Sequence, residues 1–484
     1  MSMTSSLSNA LSGLQAASRA ADLISSNVAN ALTEGYGRRT LEVSARSLAG
    51  NGGGVKIDGV RRQVDAAVLA DRRSADGGLA ASSAAAGFLA GLEAAIGSPE
   101  DPYSLSGRMV GLETSLISAA SLPESNARLS TALRAAQDLA GQIGSISDHI
   151  QQSRVDADRQ IADGVATIND ALARIERLNS EISVSIYKGN DAASLMDQRQ
   201  AQVDRIAEWL PLREVPRDNH QIALYTPFGA ALIDGKASVL GFSRVNVITP
   251  DMSLGSGALS GLTVNGNVID TVGDRSVISG GRLAAEFAVR DDSAVRAQTE
   301  VDALARDLIE RFQAPADATL SAADPGLFTD GGALFDPLNE VGLSQRLAIN
   351  AAADPDQGGA LWHLRDGLMA AGPGPVGDGT GLQRLVAAVQ ASRGPASGAL
   401  AGIAASAPGF AAGFLSLFAT EHQVAQADQS YAAARHDTMK KLELQGGVDT
   451  DQEMQSLLLV EQAYTANARV IQTVDTLLQA LLRI

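Results

Sequence analysis

The sequence predicts a mainly α-helical protein with a small inserted β domain. A long-helix bundle forms the core, and N- and C-terminal helices form a coiled coil on assembly. Three observations carry this. Both termini repeat apolar residues at a 3.5-residue period. Residues 64–210 repeat them at helical period over long runs. Residues 211–280 switch to short β-type runs broken by Asp234-Gly235 and Asn265-Gly266, both strong hairpin turns.

The N-terminal seam steps through Met3, Leu7, Ala10, Leu14, Ala17, Ala21, Ile24, Val28 and Ala31. It predicts one helix over 1–33, ended by Gly35 and Gly37 on either side of Tyr36. Leu41 and Val43 suggest a short strand, the glycines at 50 and 52–54 a turn, and Val55, Ile57 and Val60 a second strand. Further on, Leu129 to Ile150 forms one apolar helical face and Ile161 to Ile182 another. Gln221–Tyr225, Ala231–Ile233, Ser238–Phe242 and Val245–Ile248 are the β-type runs. Helical period returns over Leu283–Phe312, then 313–410 is rich in Ala, Gly, Asp and Pro and reads as loop. A last helical region from Phe414 to Ile484 is divided at Gly446-Gly447. Its seam is Leu457, Val460, Tyr464, Asn467, Ile471, Val474, Leu478 and Leu481. The expected domains are therefore 1–40 with 446–484 (terminal assembly), 41–210 with 281–445 (bundle) and 211–280 (β).

Composition narrows the function. Of 484 residues only 4% are aromatic, so the cores are aliphatic and suit packed helices better than a ring-lined ligand pocket. The formal net charge of −17 disfavours nucleic acid and anionic membranes as partners. There is no cysteine, which excludes disulfides, thiolate metal sites and thiol nucleophiles. No basic-then-apolar leader opens the chain, and no uninterrupted apolar run of bilayer length is evident.

The five histidines, His149, His220, His363, His422 and His436, have no partners at metal spacing. Asp71-Arg72-Arg73 and Asp291-Asp292 read as solvated or ion-paired faces. The glycines at 372–381 lack the context of a phosphate loop. The expectation is no catalytic, cofactor or metal site. Asn467 is the polar residue of the C-terminal seam; it either sets register or lies on a shallow edge.

Ser26-Asn27-Val28-Ala29-Asn30 followed by Gly35-Tyr36 resembles the N-terminal signature of the rod, hook and hook-associated axial proteins of the bacterial flagellum. Those proteins usually have Thr-Pro-Gly-Tyr where this chain has Thr33-Glu34-Gly35-Tyr36. Gln462 to Ile471 is similar to the family's C-terminal signature. Gly54-Val55-Lys56-Ile57-Asp58-Gly59-Val60-Arg61, Leu195-Met196-Asp197-Gln198-Arg199, Gly280-Gly281-Arg282-Leu283, and Gly446-Gly447-Val448-Asp449 before Glu453-Met454, resemble, in order, its hook-associated branch.

The resemblance implies a structural, non-enzymatic protein that joins hook to filament. It implies export by the flagellar type III apparatus, without a cleavable signal peptide, to the extracellular flagellum. The implied partners are further copies in a helical array, the hook protein, a second junction protein (hook-associated protein 3) and an export chaperone. No cofactor is implied. The assembly interface is expected at Leu7, Leu14, Ile24, Val28, Asn30 and Tyr36, and at Leu457, Tyr464, Asn467, Ile471, Val474 and Leu478. An outermost domain is expected to be reduced or absent. A hook or distal rod protein is the alternative within the family, and a cytoplasmic coiled-coil scaffold the alternative outside it.

Overall fold

The computed structural model describes residues 3–482 apart from 34, 49, 50, 272, 274, 275 and 315, and apart from the side chains at 47, 48, 51, 52 and 481. Glu34, Gly50 and the side chain of Leu481 thus lie outside the described residues.

Helix α1 (Met3–Ala29) opens the chain. It ends where the Asn30 amide folds back onto the Ser26 carbonyl and Gly35 adopts φ 77°, which only glycine takes at little cost. Strands β1 (Arg38–Leu48) and β2 (Asn51–Gln63) form an antiparallel hairpin in which Val43 faces Ile57 and Leu41 faces Val60. Asp65 caps α2 (Ala66–Ile96) by accepting the backbone N–H groups of Ala67 and Val68. Ser104 and Ser125 cap α3 (Leu105–Ser121) and α4 (Asn126–Tyr187) in the same way. At 62 residues and ~1.5 Å each, α4 runs roughly 90 Å. α5 (Ala193–Ala207) folds back against it.

After Pro211 the chain forms two small antiparallel sheets. β3 (Arg213–Pro216), β4 (Ile222–Tyr225), β5 (Ala231–Asp234) and β6 (Lys236–Ala237) make one. β7 (Leu240–Gly241), β8 (Thr263–Val264) and β9 (Asn267–Val268) make the other. Asn265 (φ 51°) and Gly266 (φ 82°) turn the last hairpin, both in the left-handed region that a type I′ turn requires. α6 (Arg282–Ala288) passes through a π-helical turn at Val289–Ser293 into α7 (Ala294–Arg311). Short elements follow: β10 (Phe328–Asp330), α8 (Leu343–Arg346), β11 (Leu347–Ile349), α9 (Trp362–Asp366) and α10 (Thr380–Gln390). The chain returns along α11 (Ala407–Gln445) and α12 (Thr450–Leu482).

The result is mainly α with a small inserted β region. One core joins α3, the first half of α4, α7, α10 and the start of α11. A second joins the later half of α4 to α5, α6 and the two small sheets. Four features differ from the sequence reading. The two apolar faces at 129–150 and 161–182 are one unbroken helix. It continues because its polar centre is buried with partners: Arg290 Nη1 donates to Asp158 Oδ1 at 2.7 Å, and Arg154 donates to the carbonyls of Arg290, Thr249 and Met252. The loop-like composition of 313–410 still buries Phe328, Leu343, Leu364 and Leu382, so this segment closes the main core. Residues 38–63 pack mainly on α1, with a smaller contact to α5, because Gly54 lets α1 approach and the Val55 N–H donates to Ser12 Oγ at 3.0 Å. Finally, α2 is long and apolar enough by composition to cross a membrane. Its apolarity is mostly Ala and Gly, and α11 packs along it antiparallel.

That α2–α11 pair is a stalk linking the body to the terminal helices. Arg72 bridges Asp76 (2.5 Å), Asp204 (2.8 Å) and Glu443 (2.7 Å), while Arg73 holds Asp204 and Glu214. Burial pushes the carboxyls of Asp76 and Glu443 above their ordinary range, although Arg72 opposes this. Arg72 and Arg73 of the Asp71-Arg72-Arg73 run are therefore paired, not merely solvated.

Candidate assembly interface

Helices α1 and α12 pack against one another antiparallel. At one end Asn27 meets Glu453; fourteen residues earlier on α1 and fourteen later on α12, Gly13 meets Asn467. A Cβ on Gly13 would stand 2.8 Å from Asn467 Nδ2, so a larger residue here displaces the Asn467 side chain. Asn467 is half-buried, and its amide donates to the Ala463 carbonyl at 2.9 Å. It is thus a knob received by a glycine of the opposite helix.

The α1 contact row includes Ala10, Gly13, Ala17, Ile24 and Asn27. It shares Ala10, Ala17 and Ile24 with the sequence seam but takes Gly13 and Asn27 where the seam takes Leu14 and Val28. Small residues at Ala10, Gly13 and Ala17 allow close approach, and Leu14 is half-buried. Of the expected interface residues, Ile24 and Val474 are buried in the single chain. Leu14, Val28, Asn30, Tyr36, Leu457, Asn467 and Ile471 are half-buried, and Leu7, Tyr464 and Leu478 are exposed.

A polar knot at the base holds α1, the hairpin and α12 together. Asn27, 1% exposed, uses its whole amide. Nδ2 donates to the Arg39 carbonyl (2.9 Å) and to Glu453 Oε2 (3.1 Å). Oδ1 accepts from the Tyr36 hydroxyl (2.9 Å) and the Arg39 N–H (3.0 Å). Glu453, buried itself, takes Arg38 Nε at 2.6 Å. A second knot ties the hairpin to α5. Asp197 accepts from Gly37 N–H (3.1 Å), Arg39 Nη2 (2.7 Å) and Arg62 Nε (2.6 Å), and Arg62 also reaches Gln200. Two residues on, Arg199 binds Asn179 and the His220 carbonyl, anchoring α5 to α4 and to the loop before β4. The Asp197-Gln198-Arg199 motif is therefore a joint. Asn27 and Glu453 sit in motifs visible in the sequence, but nothing there signals that they meet across 426 positions.

Among the described residues no group of His, Asp or Glu is arranged to hold a metal ion. His422 pairs with Glu93, His436 lies 3.5 Å from Asp76, and His363 contacts the Gly367 carbonyl.

The chain therefore combines a helical body, a stalk, and N- and C-terminal helices paired at its end. A model of the flagellar hook-associated protein FlgK helical domain matches residues 89–326. A model of the flagella basal body rod protein matches 7–36, and one of the flagellar basal body rod FlgEFG protein C-terminal region matches 445–484. The chain is thus similar to flagellar hook-associated protein 1 in its helical domain and to flagellar rod proteins at its two ends. It is 26% identical over 243 residues to flagellar hook-associated protein 1 of Salmonella typhimurium, a match covering 49% of this chain and 44% of that protein. The chain thus spans under half the length of that relative in the match. Against flagellar hook-associated protein 1 of Escherichia coli K12 it is 24% identical, with all of both chains covered. The structure of the flagellar hook junction protein FlgK from Burkholderia pseudomallei overlays with a TM-score of 0.44 at 21% identity, over 54% of this chain and 47% of that one.

Proposed function

We propose that this chain is a structural component of the flagellum that joins hook to filament as an assembled junction zone. On this reading it is exported by the flagellar type III apparatus and works outside the cell. One face of the zone accepts hook subunits, the other accepts the second junction protein, and a chaperone escorts the chain before export. Its relatives' names, hook-associated protein and hook junction protein, support the reading.

The observation that carries it is the outer face of α12. Beside the row facing α1, this helix has a second heptad row: Leu459, Ala463, Ala466, Val470, Thr473 and Leu477, all exposed. Leu459 is 67% exposed and Leu477 51%. Burying each large side chain of this row contributes roughly 1.5–3 kcal/mol, so neighbouring copies supply what the single chain leaves open. On the single chain this row faces water, and the terminal pair is expected to open easily until neighbours cover it. Contacts between unlike faces of successive copies generate an open helical array, not a closed dimer.

The test is genetic. A strain lacking this chain should retain hooks and lack filaments by electron microscopy. The full chain should restore filaments, and chains without 1–33 or 450–484 should not. Normal filaments from either truncation would sink the proposal.

A further inference from the structure

A cavity of about 320 Å³ lies where the stalk meets the body, walled by α2, α5, β3 and the end of β2. Four arginines line it, Arg62, Arg73, Arg199 and Arg213, against one carboxylate, Glu214. This reverses the balance of the whole chain, whose net charge is −17. Much of the remaining wall is apolar and buried, as at Leu69 and Val203, so charges inside it are weakly screened.

The protein does not use up these cations. Arg199 is 9% exposed. Its Nη1 donates to Asn179 Oδ1 and to the His220 carbonyl, both neutral. Among the described residues no carboxylate pairs with it, and its other two nitrogens have no partner. Burial pushes this guanidinium below its ordinary range; Glu214 opposes the shift and Arg62 adds to it. Arg73, 6% exposed, gives Nε to Asp204 and Nη1 to Glu214, and its buried Nη2 is left without a partner. Arg213 is exposed and makes no ion pair among the described residues. Asp197 and Asp204 pair with Arg62 and Arg73 but do not line the cavity. A buried cation without an anion is costly, and so is each donor on it that goes unused. Spare donors from α2 and α5 thus border one space, in which Glu214 is the lone counter-charge among the lining residues.

We propose that this cavity binds a small oxyanion of the phosphate or sulfate type, held by Arg73, Arg199 and Arg213. A tetrahedral oxyanion accepts from several guanidinium groups at once, which a chloride ion does not match. The bound anion ties α2, α5 and β3 together at the point where the stalk leaves the body, and so stiffens that joint. The proposal goes beyond the junction reading and does not depend on it.

The full chain, dialysed into chloride buffer free of phosphate and sulfate, is titrated with inorganic phosphate by calorimetry at constant ionic strength. A saturable heat with one ion per chain is expected. Arg199→Gln should weaken binding about tenfold, the worth of one charge-assisted contact. Arg199 also anchors α5, so Arg213→Gln is the second variant: Arg213 is exposed and unpaired, the fold stands without it, and affinity should fall about fivefold. Glu214→Gln removes the lining carboxylate and should raise affinity about fivefold, a gain that damage to the fold would not give. Arg134→Gln, at an exposed position of α4 outside the cavity, should change nothing. In hydrogen exchange, phosphate should slow peptides from 66–75 and 193–216 and leave those from α10 unchanged. No saturable heat, equal affinities in the Arg134 and Arg213 variants, or weaker binding in Glu214→Gln would overturn the proposal.

Discussion

Asn27→Ala removes the centre of the basal knot, and its cost can be worked from the bonds. The four hydrogen bonds of Asn27 involve Arg39 N–H, Arg39 C=O, Tyr36 and Glu453. Two of these partners have other company: the Tyr36 hydroxyl lies 3.3 Å from Ser26 Oγ, and Glu453 keeps Arg38. The two backbone groups of Arg39 lose their side-chain partner. Leaving a buried polar group unpaired costs about 1–3 kcal/mol, and Arg39 is half-buried, so water recovers part. The sum is about 3 kcal/mol, or roughly a hundredfold in a local equilibrium. The loss falls on α1 and the hairpin because the knot lies outside both cores. Hydrogen exchange of the full chain, read peptide by peptide, measures it. Peptides from 3–33 and 38–63 should lose up to about a hundredfold in protection while those from α4 stay unchanged. Equal acceleration in α4, or no change at the knot, would refute the reasoning.

Ile471→Asp places a charge in the half-buried seam facing α1; assembly should be lost, with the melting temperature of the body unmoved by calorimetry. Gly13→Val should drive the two helices apart against Asn467 and block filament formation, and adding Asn467→Ala should recover much of it, a coupling that unrelated sites would not show. Glu300 is buried and accepts the Ala399 N–H through both oxygens; burial raises its carboxyl above the ordinary range. The native state therefore holds the proton more tightly than the unfolded chain, so this share of stability is complete below the unfolded value and is lost as pH rises through the folded one. Denaturation of wild type and Glu300→Gln at about pH 4 and about pH 7 should show the balance moving toward the Gln variant at the higher pH.

Much of the fold is legible because its signals are periodic and local. The 3.5-residue rows of α1 and α12 and the Asn265-Gly266 turn need no tertiary knowledge. The long apolar run of α4 is legible too, but its continuity is not, because Arg154 and Asp158 look like a solvent face until Arg290 arrives from 132 positions beyond Asp158. The same limit hides the knot: Asn27, Asp197 and Glu453 are each visible inside a motif, yet their partners are far away in the chain. The phase of the α1 row is not legible: Leu14 is the larger apolar residue, but Gly13 meets Asn467. Residues 313–410 misled through composition, as glycine and proline connect short buried elements as well as open loops.

The central claim is that the paired terminal helices join hook to filament. Electron microscopy of a strain lacking this chain, complemented with the chain truncated before α12, tests it most directly. Hooks of normal length with no filament attached are expected, and filaments again when the full chain is supplied. Filaments of normal number with α12 missing would contradict it.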